Sequence, residues 1–221
     1  MTLDFSTIPE VWPALMKGAG VTIQLTLAVL ILATPGGLLV AFLRLAPQPW
    51  LRALVLALSW VFRGIPPLLL LFFAFFGLPI MGLTLQPLPA AILAMTTYMS
   101  FYFGEIFASG LRSVPPGQAQ AAAALGIPAH RTLLRIILPQ TIPAALPPYI
   151  SHATEILKGT ALAAAVAVPE LSNAAKKIFV VTYRPLEVLI VAAAIYALLD
   201  GVLLLLQMFG ERWSNRRRAG R

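Results

Sequence analysis

The residues of this sequence best able to do chemistry are charged groups set inside apolar stretches. Such groups are costly in hydrocarbon and mark either a functional site or a structural ion pair. His152, Glu155 and Lys158 follow one another at i, i+3 and i+6, with Ser151 beside them. Neighbouring members of that series share a helical face. An acid and a base so placed could hold a solute that carries both charges, or could satisfy each other along the helix. Arg63 and Glu105 form a second set. Glu105 lies near the end of one apolar stretch, and Arg63 lies about ten residues, or ~15 Å, into another. These depths match, and they predict a structural Arg63–Glu105 pair. Asp200 sits in the last apolar stretch, and nothing in the sequence names its partner.

Other chemistries lack their residues. Cys is absent and the two His are not accompanied by clustered carboxylates, so neither thiol chemistry nor a metal site is expected. Ser151 and His152 are adjacent, and adjacent helical residues do not face each other as a nucleophile and base must. No Gly-x4-Gly-Lys-Ser/Thr run occurs, so the chain is not expected to hydrolyse ATP itself.

The elements that position these residues follow from composition. The chain has 221 residues, 59% hydrophobic and 11% charged, with mean hydropathy +0.87. Soluble domains carry about 25% charged residues, so an all-α integral membrane protein is expected. Five apolar stretches, at about 19–43, 53–77, 89–111, 141–168 and 186–209, reach the ~20 residues that a spanning helix needs. Residues 1–17 read as an external interfacial segment, with Trp12 at headgroup level. Residues 18–210 then form the transmembrane domain, and 211–221 a basic, solvated tail. Residues 169–184, with Glu170, Lys176 and Lys177, read as a polar interfacial helix. Pro35-Gly36-Gly37 is expected to kink the first span, and Pro143, Pro147 and Pro148 to bend the fourth.

Residues 112–140 form the longest stretch between spans. Pro115 and Pro116 suit a first helical turn. Ala121 to Ala124 are strong helix formers of little bulk. Leu125-Gly126 reads as a helix end, because glycine tolerates the left-handed conformation. A short second helix with Arg131 and Arg135 on one face then leads to Ile136, Leu138 and Pro139. A small-faced helix held outside the bilayer could fit closely into a groove on another protein.

The run from Gly117-Gln118-Ala119-Gln120-Ala121-Ala122 through Gly126 to Ile136-x-Leu138-Pro139 resembles the EAA loop of ABC-transporter permeases of the importer type. Arg63-Gly64-x-Pro66, the Tyr102-x-x-Glu105 run and Lys158-Gly159-Thr160 are similar to further motifs of the polar amino-acid uptake branch. The similarity covers about Gly18 to Arg212. Gln120 stands where the family usually has Glu, which removes a charge from the loop. Ile65 and Ala161 replace a Thr and a Ser, and Ser151-His152 stands where Asn-Glu is common.

The resemblance implies a type I importer permease fold in the plasma (inner) membrane of a prokaryote. It implies coupling through 117–139, with Leu125 and Gly126 at the turn, to separate ABC ATPase subunits that bind the ATP. It also implies a second permease chain, an external substrate-binding protein and a polar amino acid as substrate, with no cofactor on this chain. Ser151, His152, Glu155 and Lys158 would line the path, an acidic group meeting the ammonium and a basic group the carboxylate.

Charge orients the chain. Arg44, Arg52, Arg112, Arg131, Arg135, Arg212, Arg216, Arg217, Arg218 and Arg221 fall on one side of the five spans; Lys17, Lys176, Lys177 and Arg184 fall on the other. The positive-inside rule then places the loop and C-terminus in the cytoplasm and the N-terminus outside. The net charge of +8 reflects these loops rather than nucleic-acid binding. The alternative is a stand-alone ion-coupled carrier or channel that uses the intramembrane acids, and the coupling-loop spacing argues against it.

Overall fold

Proline decides where the helices of this chain break. The structure, a computed structural model, describes residues 3–219, with side chains described as far as Trp213. The side chains of Arg216, Arg217 and Arg218 thus lie outside the description, and Arg221 lies outside the described residues. Helix α1 runs over Ile8–Arg44. From Ile8 onward the expected interfacial segment is therefore continuous with the first span. It remains helical through Pro35-Gly36-Gly37.

The second expected span is not one helix. It comprises α2 (Pro49–Gly64), then α3 (Pro67–Phe72), a wide turn at Phe73–Gly77 and α4 (Leu78–Ile80). The two parts meet at 98°. Ile65, at φ −80° and ψ 130°, is extended, because the ring of Pro66 disfavours helical backbone in the residue before it.

Helix α5 covers Pro87–Arg112, α6 Pro116–Ala124 and α7 Ala129–Thr132. A second wide turn, Leu133–Ile137, joins α7 to α8 (Leu138–Gly159). In each wide turn an N–H reaches back five residues, from Leu78 to Phe73 and from Leu138 to Leu133. Both turns lie just before a proline, Pro79 and Pro139. A proline cannot donate the regular i→i−4 bond and its ring crowds that carbonyl, and a widened turn relieves the conflict.

The fourth expected span, 141–168, ends as an α-helix at Gly159. A tighter helix over Thr160–Val166 follows and stops at Ala167, which is left-handed at φ 62°. Helix α9 (Leu171–Thr182) comes next, then α10 (Pro185–Ala219), which carries the last span on into the expected tail as far as Ala219.

Helices α1, α5 and α10 are long and apolar enough to cross a membrane, and the bent α2–α4 unit qualifies when taken together. The 22 residues of α8 also suffice in length, about 33 Å, but include the charged patch and three internal prolines. The exterior carries exposed Ile31, Leu39, Trp60, Leu198 and Val202, as a lipid-facing surface requires.

The main core gathers Leu25, Val29, Leu71, Phe103, Ile156 and Val166 around α1 and α5. A smaller one joins Leu15, Leu171, Ala175, Val188 and Ala192. The expected polar interfacial helix is thus α9 docked on α1 and α10, with Lys176, Lys177, Val180 and Val181 exposed.

Small residues allow α1 and α5 to approach, as in other membrane bundles. A Cβ on Gly37 would lie 2.5 Å from Phe103 Cβ, and one on Gly104 would lie 2.3 Å from Val40 Cγ1. Gly37→Ala and Gly104→Ala are each expected to cost about 1–3 kcal/mol from overpacking. Gly20, with open space around it, should accept Ala without loss. Unfolding midpoints of the three variants in detergent check this ranking, and equal midpoints would contradict the packing argument.

Candidate functional site

The segment expected to dock on a partner stands clear of the bundle. Pro115 is extended and starts α6, in which Ala122 is the buried residue. Gln118, Gln120, Ala121, Ala123 and Ala124 are exposed, and Leu125 is 78% exposed. The end of α6 is a Schellman motif. Ile127 N–H donates to Ala122 C=O at 2.9 Å and Gly126 N–H to Ala123 C=O at 3.0 Å, around Gly126 at φ +71°. These two bonds satisfy carbonyls that the helix end would otherwise leave unpaired, and they need glycine at the left-handed position.

Beyond Gly126, Pro128 caps α7, and the chain runs without a break through Ile136, Leu138 and Pro139 into α8. Gln140 Nε2 donates to Ile136 C=O at 2.8 Å, supporting the widened turn. The loop is therefore a projecting helix and a turn, fixed rigidly to the base of α8.

Arg63 and Glu105 are brought together, with Nη1 3.0 Å from Oε2. The sequence reading missed that Glu105 also binds Arg44, and Arg112 at 3.1 Å. One carboxylate of α5 thus gathers guanidinium groups from the ends of α1, α2 and α5. Arg63 further lies 5.0 Å from the centre of the Tyr102 ring, and the Tyr102 hydroxyl donates to Arg63 C=O at 3.4 Å. The signal for Arg44 was its position at the end of the first span, one helix away from Glu105.

The patch on α8 is paired differently from either sequence alternative. His152 Nδ1 lies 2.6 Å from Glu155 Oε2, and the His152 ring packs 5.2 Å from that of Tyr102. Lys158 reaches Asp200 on α10 at 2.9 Å instead of Glu155. The other Asp200 oxygen, Oδ1, is buried without a hydrogen-bond partner. Glu155 and Lys158 nevertheless wall one cavity of about 350 Å³ with Pro67, Met95, Tyr98 and Leu162. Ser151 is exposed, and its carbonyl accepts from the Thr154 hydroxyl.

A further polar centre escaped the sequence reading. Glu170, read as part of a surface helix, is fully buried. It accepts from the N–H groups of Ser172 at 2.9 Å and Asn173 at 2.7 Å, and from the Tyr196 hydroxyl at 2.6 Å. The Thr22 hydroxyl stands 3.5 Å away and accepts from Leu171 N–H. Glu170 thus caps α9 and ties it to α1 and α10. At the same end Arg184 lies 2.6 Å from Asp4. Hydrogen bonding from Ser6, then the Arg184 charge, holds the Asp4 carboxyl below its usual range.

The chain is thus a bundle of apolar helices with a projecting small-faced loop and paired charges within the helices. The family described as the binding-protein-dependent transport system inner membrane component matches residues 33–217, and the chain belongs to it. Among its relatives is the probable glutamine ABC transporter permease protein GlnP of Bacillus subtilis, 38% identical over 162 residues, 73% of this chain and 74% of the relative. The nopaline transport system permease protein NocM of Agrobacterium fabrum is 32% identical over 96% of this chain and 92% of its own length. The histidine/lysine/arginine/ornithine transport system permease protein HisM of Escherichia coli K12 is also 32% identical, over 93% of this chain and 92% of its own.

A crystal structure of an amino acid ABC transporter with histidines superimposes with TM-score 0.88 at 29% identity. It covers 96% of this chain and 99% of that one. The inward-facing MetNI methionine ABC transporter has the same fold, with TM-score 0.75 at 22% identity over 94% and 97% of the two chains. The chain is a permease subunit of the ABC importer type, not a stand-alone carrier.

Exposure ranks the arginines around Glu105. The Arg44 side chain is 9% exposed, that of Arg63 36% and that of Arg112 50%. Removing one partner of a buried pair costs about 3–5 kcal/mol, whereas an exposed pair contributes about 0–1 kcal/mol. Arg44→Gln should therefore destabilise most, Arg63→Gln less and Arg112→Gln least. Unfolding in detergent reads the order, and a largest loss at Arg112 would contradict it. Exchanging Arg63 and Glu105 should not recover the loss caused by Arg63→Gln, because it would set a guanidinium at position 105 against Arg44 and Arg112.

Proposed function

We propose that this chain is a transmembrane subunit of an ATP-driven importer of polar amino acids in a prokaryotic plasma membrane. Two permease chains form the path, and an external binding protein delivers the substrate. Two separate ATPase subunits bind and hydrolyse ATP. The N-terminus lies outside, and the loop and C-terminus lie in the cytoplasm. The observation that carries the reading is the exposed α6 ending at Gly126. Its small side chains suit close insertion into a groove, and the rigid connection into α8 suits it to pass on a displacement. Relatives named for glutamine, nopaline and basic amino acids support a polar amino-acid substrate.

In this reading the ATPases move α6 and α7, and α8 carries that motion to Glu155 and Lys158. A zwitterion in their cavity would set its ammonium against Glu155 and its carboxylate against Lys158. His152 and Asp200 engage the same two groups. The two charges are thereby kept apart instead of collapsing on each other along the helix.

Affinity purification of the full chain from its native host should bring down an ATPase subunit. Gly126→Val puts a β-branched residue at positive φ, where it is strained, and should lose the ATPase and uptake while the chain still inserts. Isolation of the intact chain without any ATPase, or normal uptake by Gly126→Val, would sink the coupling role. Amino-acid uptake by Glu155→Gln and His152→Ala tests the path separately. A rise in the substrate concentration at half-maximal rate is expected for Glu155→Gln, and unchanged kinetics in both variants would remove this patch from the path.

A further inference from the structure

We infer that a cavity at the coupling-loop end of the bundle binds the phosphodiester of an anionic phospholipid headgroup. Its position in the inner leaflet rests on the orientation proposed above. The cavity, about 350 Å³, opens between the end of α1, the start of α2 and the end of α5. Arg44, Pro49, Arg52, Ala53, Leu56 and Arg112 line it.

Its charge is unbalanced. Arg44 and Arg112 share the single carboxylate of Glu105 with Arg63. The Arg52 side chain has no hydrogen-bond or ion-pair partner among the described residues. Three guanidinium groups thus line the cavity, and the one carboxylate that pairs with two of them is shared with Arg63. The nearly buried Arg44 is held in place by Glu105 and forms a fixed wall. Arg52 stands in the first turn of α2, where unpaired N–H groups and the helix dipole add to the positive field. The planar guanidinium fork matches two oxygens of a phosphate, and basic pockets between spans near the cytoplasmic face suit phospholipid heads.

The flank of the cavity favours a lipid over a soluble anion. Trp50, in the same first turn of α2 but on another face, is exposed, as an aromatic at headgroup level should be. Leu56 lines the cavity, and Trp60, four residues on along the same face of α2, is exposed. A polar mouth above an apolar wall fits an amphiphile. Inorganic phosphate or an acidic side chain would use only the mouth.

The test places the full chain in nanodiscs of equal parts phosphatidylcholine and phosphatidylglycerol, then counts the lipids retained after extraction by native mass spectrometry. The wild type should retain phosphatidylglycerol in preference. Arg52→Gln should reduce that preference about fivefold, the effect of one charge near the membrane surface, with Arg52→Lys between the two. Arg212→Gln, an exposed charge outside the cavity, should change it less than Arg52→Gln does. If Arg52→Gln does not fold, Arg52→Lys and displacement from the wild type by phosphatidylglycerol against inorganic phosphate decide the matter.

Equal retention by the wild type and the Arg52 variants would overturn the proposal. Arg52-dependent protection by inorganic phosphate, without lipid preference, would replace the lipid with a soluble anion. Arg52-dependent retention of a protein, again without lipid preference, would make the cavity a protein contact. The lipid count needs no ATPase, so its failure leaves the importer reading untouched.

Discussion

A carboxylate placed among apolar helices must be paired, and the half of this bundle next to α6 is arranged around that requirement at Glu105. Three arginines converge on it from helix ends that are not adjacent in the chain. The cost of leaving any of these charges alone in a low-dielectric setting fixes how α1, α2 and α5 meet. The close contact at Gly36, Gly37 and Gly104 then sets how near the first and third of them lie. Glycine at the contact and charge at the end act together, because a wider separation would take Arg44 out of reach of Glu105.

Glu170 does comparable work at the opposite end. Its oxygens take the first free N–H groups of α9 and the Tyr196 hydroxyl, so a short amphipathic helix becomes part of the bundle. Between these two anchored ends lies the α8–α10 region, where Lys158 and Asp200 pair across helices and Glu155 turns to His152. Each end is tied by a group with several partners, whereas the central charges have one partner each. Exchange of partners is therefore cheapest at the centre.

Local chemistry was the legible part of the sequence. The Gly126 turn could be anticipated because a Schellman motif involves six consecutive residues and one glycine. The Arg63–Glu105 contact was reachable by counting residues from the ends of two spans. The break at Ile65-Pro66 was harder to see, because an apolar run looks continuous to a hydropathy reading even where a proline turns the chain by 98°. Lys158–Asp200 and the Glu170 centre depend on how far-separated helices are rotated toward each other. Spacing along one helix contains no such information. The burial of α9 was concealed for the same reason: its exposed lysines are obvious in the sequence, while the partners of its apolar face are not.

Pro139, Pro143 and Pro147 recur at four-residue intervals along α8, with Pro148 next to the last. Residues four apart on a helix lie along one stripe, and each proline lacks the N–H that would brace the turn before it. The missing braces of Pro139, Pro143 and Pro147 consequently fall on one side of the rod, and that of Pro148 lies about 100° further round. A helix weakened on one side has unequal stiffness: it yields readily in the plane containing that stripe and resists bending across it. A load applied at the base of α8 would then bend its first turns most readily in the plane that contains Pro139, Pro143 and Pro147.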